Sequence, residues 1–148
     1  MAGVALDYQL DGAAEVVRRL GGLAGLDLEA LAFNIGALLE SATQARIADE
    51  KAGPDGAPWA DWSEAYAATR GSRHSLLVGE NILLGSVQNY STGTTARVGS
   101  NMVYAAIHQF GGAEVGSNIP ARPYLGLSGD DRAEIRDLVI GEVREALR

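Results

Sequence analysis

From Leu28 onward the apolar positions of the chain recur at spacings of three and four. Leu28, Leu31, Ala32, Ile35, Leu38, Leu39 and Ala42 fall on one stripe, the pattern of an amphipathic helix that buries a single face. Asp27 stands where a carboxylate takes the first unpaired amides. Gly53-Pro54-Asp55-Gly56 is a strong turn, so the helix is predicted to run to about Lys51. Its later turns are polar, with Asn34, Gln44, Arg46, Asp49 and Glu50. A shorter helix is predicted from Ala13 to Leu20, with Gly21-Gly22 as its stop. Beyond the turn, Pro58-Trp59 leads into a short helix within Asp61 to Arg70 that brings Trp62, Ala65 and Tyr66 together. Gly71 to Ser75 reads as a polar connector in which His74 is solvated.

Around Leu76 the period changes. Ile82 to Tyr90 and Thr94 to Gly99 are the strand candidates, and Ser91-Thr92-Gly93 between them reads as a hairpin loop. Leu83 to Gly85 could instead begin as a helical turn. Tyr104 to Phe110 returns to helical spacing, closed by Gly111-Gly112, and a glycine-rich loop follows to Asn118. Ile119 to Leu127 is predicted to be extended, because each proline restricts itself and the residue before it. Ser128 has the chemistry of an N-cap, with Asp130 and Asp131 placed to complement the helix dipole. Ile135, Leu138, Val139, Val143 and Leu147 then make the apolar stripe of a last helix. The expected class is α+β: a long N-terminal helix and a C-terminal helix packed on a small antiparallel β-sheet. One domain is expected over residues 1–148, helical over 10–70, with strands and loops over 76–127 and a helix over 129–147.

Composition narrows the function. The 148 residues carry 12 basic and 19 acidic side chains, a formal net charge of −7. That surplus argues against gripping nucleic acid, which needs clustered Lys and Arg to displace counterions. An acidic lumen past which DNA slides is compatible with it. Without cysteine there is no disulfide framework, thiolate nucleophile or thiolate metal site. The first residues show no basic stretch followed by an apolar one, and no apolar run approaches the roughly 20 residues that span a bilayer. The expectation is a chain made and kept in a cytoplasm, with no membrane partner. With 19 glycines the supply of large core side chains is modest, which leans toward oligomerisation.

Catalytic and cofactor chemistry finds little support. Neither His74 nor His108 lies in a metal-ligand pattern, and His108, in a mostly apolar segment, reads as structural. Gly85-Ser86 and Gly99-Ser100 are not a nucleophile elbow. No pair of the acids is placed for glycoside hydrolysis, and Asp55-Gly56 lacks the ligand alternation of a calcium loop. No cofactor, metal or catalytic residue is therefore expected, and a small soluble hydrolase is the alternative of another class. Gly56, Trp59, Trp62 and Tyr66 read as a structural turn with an aromatic cluster. Arg122, between Pro120 and Pro123, sits on a backbone stiffened in advance, which lowers the entropy lost on docking. Its guanidinium, with Tyr124 and Leu125, has the chemistry of an interface anchor.

These residues carry a resemblance. Tyr104-Ala105-Ala106-Ile107-His108-Gln109-Phe110-Gly111-Gly112, followed by Ile119-Pro120-Ala121-Arg122-Pro123-Tyr124-Leu125-Gly126-Leu127-Ser128, resembles the signature of the phage virion morphogenesis family, which includes tail completion proteins of Mu-like and P2-like contractile-tailed phages. Upstream, Pro54-Asp55-Gly56 before Trp59 and Leu76-Leu77-Val78-Gly79 before Ser86 match in the same order, so the resemblance spans about Leu28 to Leu147. Val78 departs from it, standing where Thr is commoner. The resemblance implies a structural role at the head–tail junction, as a ring, often hexameric, that completes or terminates the tail. Its implied partners are other copies of the chain, tail tube or sheath proteins and head connector or neck proteins, with DNA passing through the lumen unbound. It implies a place in the virion, with assembly in the bacterial host, and a head-side adaptor or stopper is the alternative. Tyr104, His108, Gln109, Phe110, Arg122, Pro123, Tyr124 and Leu125 are the expected interface residues.

Overall fold

A computed structural model describes residues 13–148, and residues 10–12 of the expected helical region lie outside this range. The structure is α+β, with helices at both ends and a two-stranded antiparallel sheet between them. The first helix, α1, spans Ala13–Leu23 and runs through Gly21-Gly22 rather than stopping there. The reason is packing: Gly22 lies against the main chain at Ala146, where a Cβ would overlap the carbonyl. The turn comes at Ala24–Asp27 instead, and the chain axis bends by 59° into the second helix. Among the described residues no single helix is long and apolar enough to cross a membrane.

Helix α2 spans Leu28–Ala45, and the Asp27 carboxylate accepts from the Ala30 amide at 2.8 Å as an N-cap. One π-turn, Arg46–Glu50, extends it, and Lys51 ends it in the left-handed conformation, φ 55°. The buried face is centred on Ala32, Gly36, Thr43 and Ile47, to one side of the expected stripe, while Leu28 is half exposed. Small residues mark this face because the sheet crosses it closely. An added Cβ at Gly36 would collide with the side chains of Asn89 and Ser91.

The expected strand Ile82 to Tyr90 divides. Ile82–Ser86 is a helical turn, α4, and only Val87–Asn89 forms the strand β1, paired with β2, Val98–Ser100, in the register Val87 to Ser100. The hairpin is present, narrowed by the Thr92–Thr95 bridge. Its docking on α2 is polar: the Glu40 carboxylate accepts from the Asn89 amide at 2.6 Å, and Gln44 donates to the Val87 carbonyl at 3.2 Å. Leu83 of α4 and Val87 then enter one core with Ile47, Trp59, Ala105 and Tyr124.

Helix α3 covers Glu64–Ala67, α5 covers Ala105–Phe110 and the last helix, α6, covers Gly129–Ala146. Ser128 caps α6 in a reciprocal capping box with Asp131. The stripe Ile135, Leu138, Val139, Val143 and Leu147 is half-buried as α6 packs along α2. Asp131 also accepts from the Arg46 guanidinium at 2.9 Å, and both side chains are buried. By sequence Arg46 is one of the polar residues of the later turns of α2. Instead it leaves the helix at stripe spacing from Leu39 and Ala42 and joins the two long helices at one end.

Candidate functional site

Segment 119–127 forms no helix or strand and bends at Leu125–Gly126; Pro120 and Pro123 cost it amide donors, so its remaining backbone groups need partners from elsewhere. Helix α5 and α2 supply them. Gly111, with φ +82°, turns the chain out of α5 in a conformation that only glycine adopts freely. The Gly112 amide then donates to the Ile119 carbonyl at 2.8 Å and the Arg122 amide to the His108 carbonyl at 2.7 Å. Gln109 makes three bonds at once. Its carbonyl oxygen accepts from the Tyr124 and Leu125 amides, each at 3.0 Å, and its amide donates to the Leu125 carbonyl at 3.1 Å. Trp59 Nε1 donates to the Pro123 carbonyl at 2.9 Å, and Arg46 Nη1 to the Tyr124 carbonyl at 2.7 Å. Expected interface residues are thus, in large part, the stitching between two halves of the signature.

Arg122 and Tyr124 are the most buried of these residues. Arg122 is 5% exposed and Tyr124 1% exposed. The Arg122 guanidinium donates to the Ala60 and Asp61 carbonyls at 2.8 and 3.1 Å, and the Tyr124 hydroxyl to the Ala105 carbonyl at 3.0 Å. Both side chains are thus bonded inside the chain, and Arg122 also lines an open groove. Burial lowers the Arg122 pKa and raises that of Tyr124. Pro123 and Leu125 are half-buried. Tyr104, 38% exposed, and Phe110, 79% exposed, face solvent, as do Val103 and Val115, which the sequence reading did not single out.

His108 lies at the inner edge of the segment. Its Nδ1 is buried without a hydrogen-bond partner, and its ring meets that of Tyr104 edge to face at 5.9 Å. Burial first, then the positive charge of Arg122, pushes its pKa below the ordinary histidine value, which favours the neutral imidazole. Lys51 is a residue that the sequence reading did not single out. Its left-handed backbone sends Nζ to the Ile47 carbonyl, to Ser75 Oγ at 2.9 Å and to the Leu76 carbonyl at 3.0 Å. Burial lowers its pKa, against the opposing pull of Asp49. Lys51 thereby fixes segment 75–78 beside the core. The sequence signal for Lys51 was its place two residues before the Gly53-Pro54 turn.

Between segment 61–83 on one side and 104–122 on the other lies an open groove of about 840 Å³. Trp62 and Tyr66 contribute an edge-to-face pair, 5.8 Å apart, and Arg70 lies over the Tyr66 ring at 4.6 Å. The aromatic cluster expected here is therefore divided: Trp59 belongs to the core, Trp62 and Tyr66 to the groove, and Gly56 (φ +80°) to the turn. His74, expected to be solvated, accepts from the Gly71 amide at 3.0 Å and approaches Glu80 at 3.5 Å on the groove wall. No group of three or more His, Cys, Asp or Glu is gathered anywhere among the described residues.

A signature consumed in internal stitching, beside exposed apolar side chains and an open aromatic groove, has the make-up of an assembly protein. The chain belongs to the phage virion morphogenesis family, whose profile matches residues 9–144. It is 38% identical over 122 residues to protein G of Escherichia phage Mu, named as a candidate capsid assembly protein, with 76% of each chain covered. It is also 47% identical over 62 residues to the Mu-like prophage FluMu G protein 2 of Haemophilus influenzae, covering 40% of this chain and 45% of that one. No solved structure matches. The chain is accordingly a phage structural or morphogenesis protein, associated with the virion.

Proposed function

We propose that the chain acts without catalysis at the head–tail junction, assembling as a ring on the tail end to complete the tail and let the head join. The family match over 9–144 carries this reading. The exposed side chains of Tyr104 and Phe110 lie within the family-like signature and are its proposed contact residues. His108, Gln109, Arg122, Pro123, Tyr124 and Leu125 hold that surface in shape from within. The surplus of acids suits a lumen that lets DNA pass. The name of the Mu relative, which refers to the capsid, favours a second reading, a head-side adaptor. Disrupting the gene in the phage or prophage that encodes the chain should yield full heads and unjoined tails, and adding purified protein to that lysate should restore joined particles. Protein recovered on heads and absent from tails supports the adaptor instead. Normal joined particles without the protein contradict both.

A further inference from the structure

Helix α1 carries an apolar face that is exposed among the described residues. Val16, Val17 and Leu20 are each more than half exposed, while Glu15 holds Arg18 and Arg19 by side-chain bonds of 2.6–2.9 Å. The helix touches α6 where Gly22 meets Ala146, near its C-terminal end. Its 11 residues fall short of the length at which a helix is stable in water by itself, so its apolar face is expected to be covered. The groove offers a matching surface: Trp62, Tyr66, Leu77, Ile82 and Tyr104 line it, and Tyr66 and Ile82 are about half exposed.

The helix cannot reach the groove of its own chain. Helix α2, 18 residues long, spans about 27 Å at 1.5 Å per residue. The groove is built around its C-terminal end, where Lys51 grips Ser75 and Leu76. Helix α1 lies beyond its N-terminal end, joined by four residues, and the 59° bend carries it onward rather than back. Exposed charge is also complementary. The groove wall bears Asp61 and Glu80 against Arg70, and α1 bears Arg18 and Arg19 against Glu15.

We propose that the Val16–Val17–Leu20 face of α1 docks in the groove of a second copy of the chain, head to tail. Donor and acceptor surfaces on different parts of one subunit make a heterologous contact, which closes as a ring or continues as a filament. This names the contact that the ring reading above requires and rests on that reading. Two full-length variants test it by sedimentation velocity: Leu20→Asp, which spoils the helix face, and Ile82→Asp, which spoils the groove. Both positions are exposed, so circular dichroism and thermal melting should match the parent. Each variant alone should be monomeric where the parent forms closed oligomers. Mixed, they should form a species of two chains and nothing larger, because only one intact helix face can meet one intact groove. Parent-like oligomers from both variants would overturn this contact and leave the ring reading standing. A parent that stays monomeric, alone and on tail tubes, overturns the ring reading and the contact with it.

Discussion

Gln109→Ala probes the stitching at its centre. The substitution removes the acceptor of the Tyr124 and Leu125 amides and the donor to the Leu125 carbonyl, three bonds of 3.0–3.1 Å. Each such bond is worth about 1 kcal/mol net, and a buried group left unpaired costs about 1–3 kcal/mol. Water reaches part of this site, which is only half-buried, so the expected loss is about 2–5 kcal/mol. For a domain of this size that corresponds to a fall in Tm of roughly 4–20 °C. Urea unfolding followed by circular dichroism reads the loss as a lower midpoint with an unchanged slope. Hydrogen exchange adds a local readout: the Tyr124 and Leu125 amides should lose protection beyond the global change, while amides inside α2 should follow the global change. A loss under about 0.5 kcal/mol, with those two amides still protected, would refute the assignment of Gln109 as the residue that holds segment 119–127.

The buried Arg46–Asp131 pair predicts a large single-site effect. Asp131→Ala should cost about 3–5 kcal/mol, because it strands the guanidinium in the interior, and Arg46→Met combined with it should cost less than the two singles added; strict additivity in a urea series would contradict the pairing. Burial would raise the Asp131 pKa, but the Ser128 hydrogen bonds and the Arg46 charge outweigh it and hold the carboxyl below its ordinary value. This contribution is present above the unfolded pKa, near 4, and is lost as pH falls through the lower folded value. An acid titration of the melting temperature should therefore fall less steeply in the Asp131→Ala variant than in the parent. Gly36→Ala should destabilise by about 1–3 kcal/mol, since overlap with Asn89 and Ser91 outweighs the gain of about 1 kcal/mol in helix propensity. A stabilised variant on thermal melting would show that the hairpin does not lie where the structure has it.

Much of the architecture was legible in local signals. Asp27, Ser128 and Gly111 each have one side-chain or backbone property that suits a helix end, and each acts at such an end. The lack of helix and strand over 119–127 followed from its prolines, whereas the bend at Leu125–Gly126 did not. Long-range pairing decided the rest. Gly21-Gly22 read as a stop because nothing local announces the approach of α6, and Ile82 to Ser86 read as strand because apolar residues suit either state. Arg46 and Arg122 looked like surface residues because a charged side chain is buried only where distant groups receive it. Arg46 finds Asp131 and the Tyr124 carbonyl, and Arg122 finds the Ala60 and Asp61 carbonyls. The signature was recognisable as a unit, but its division into inward stitching and an outward face depends on rotamers that no spacing reveals.

Electron microscopy of the purified protein incubated with tail tubes tests the ring at the tail end most directly. The account predicts a ring of several copies capping one end of each tube, and tubes that cease to lengthen once capped. Monomeric protein that leaves the tube ends bare and growing would contradict it.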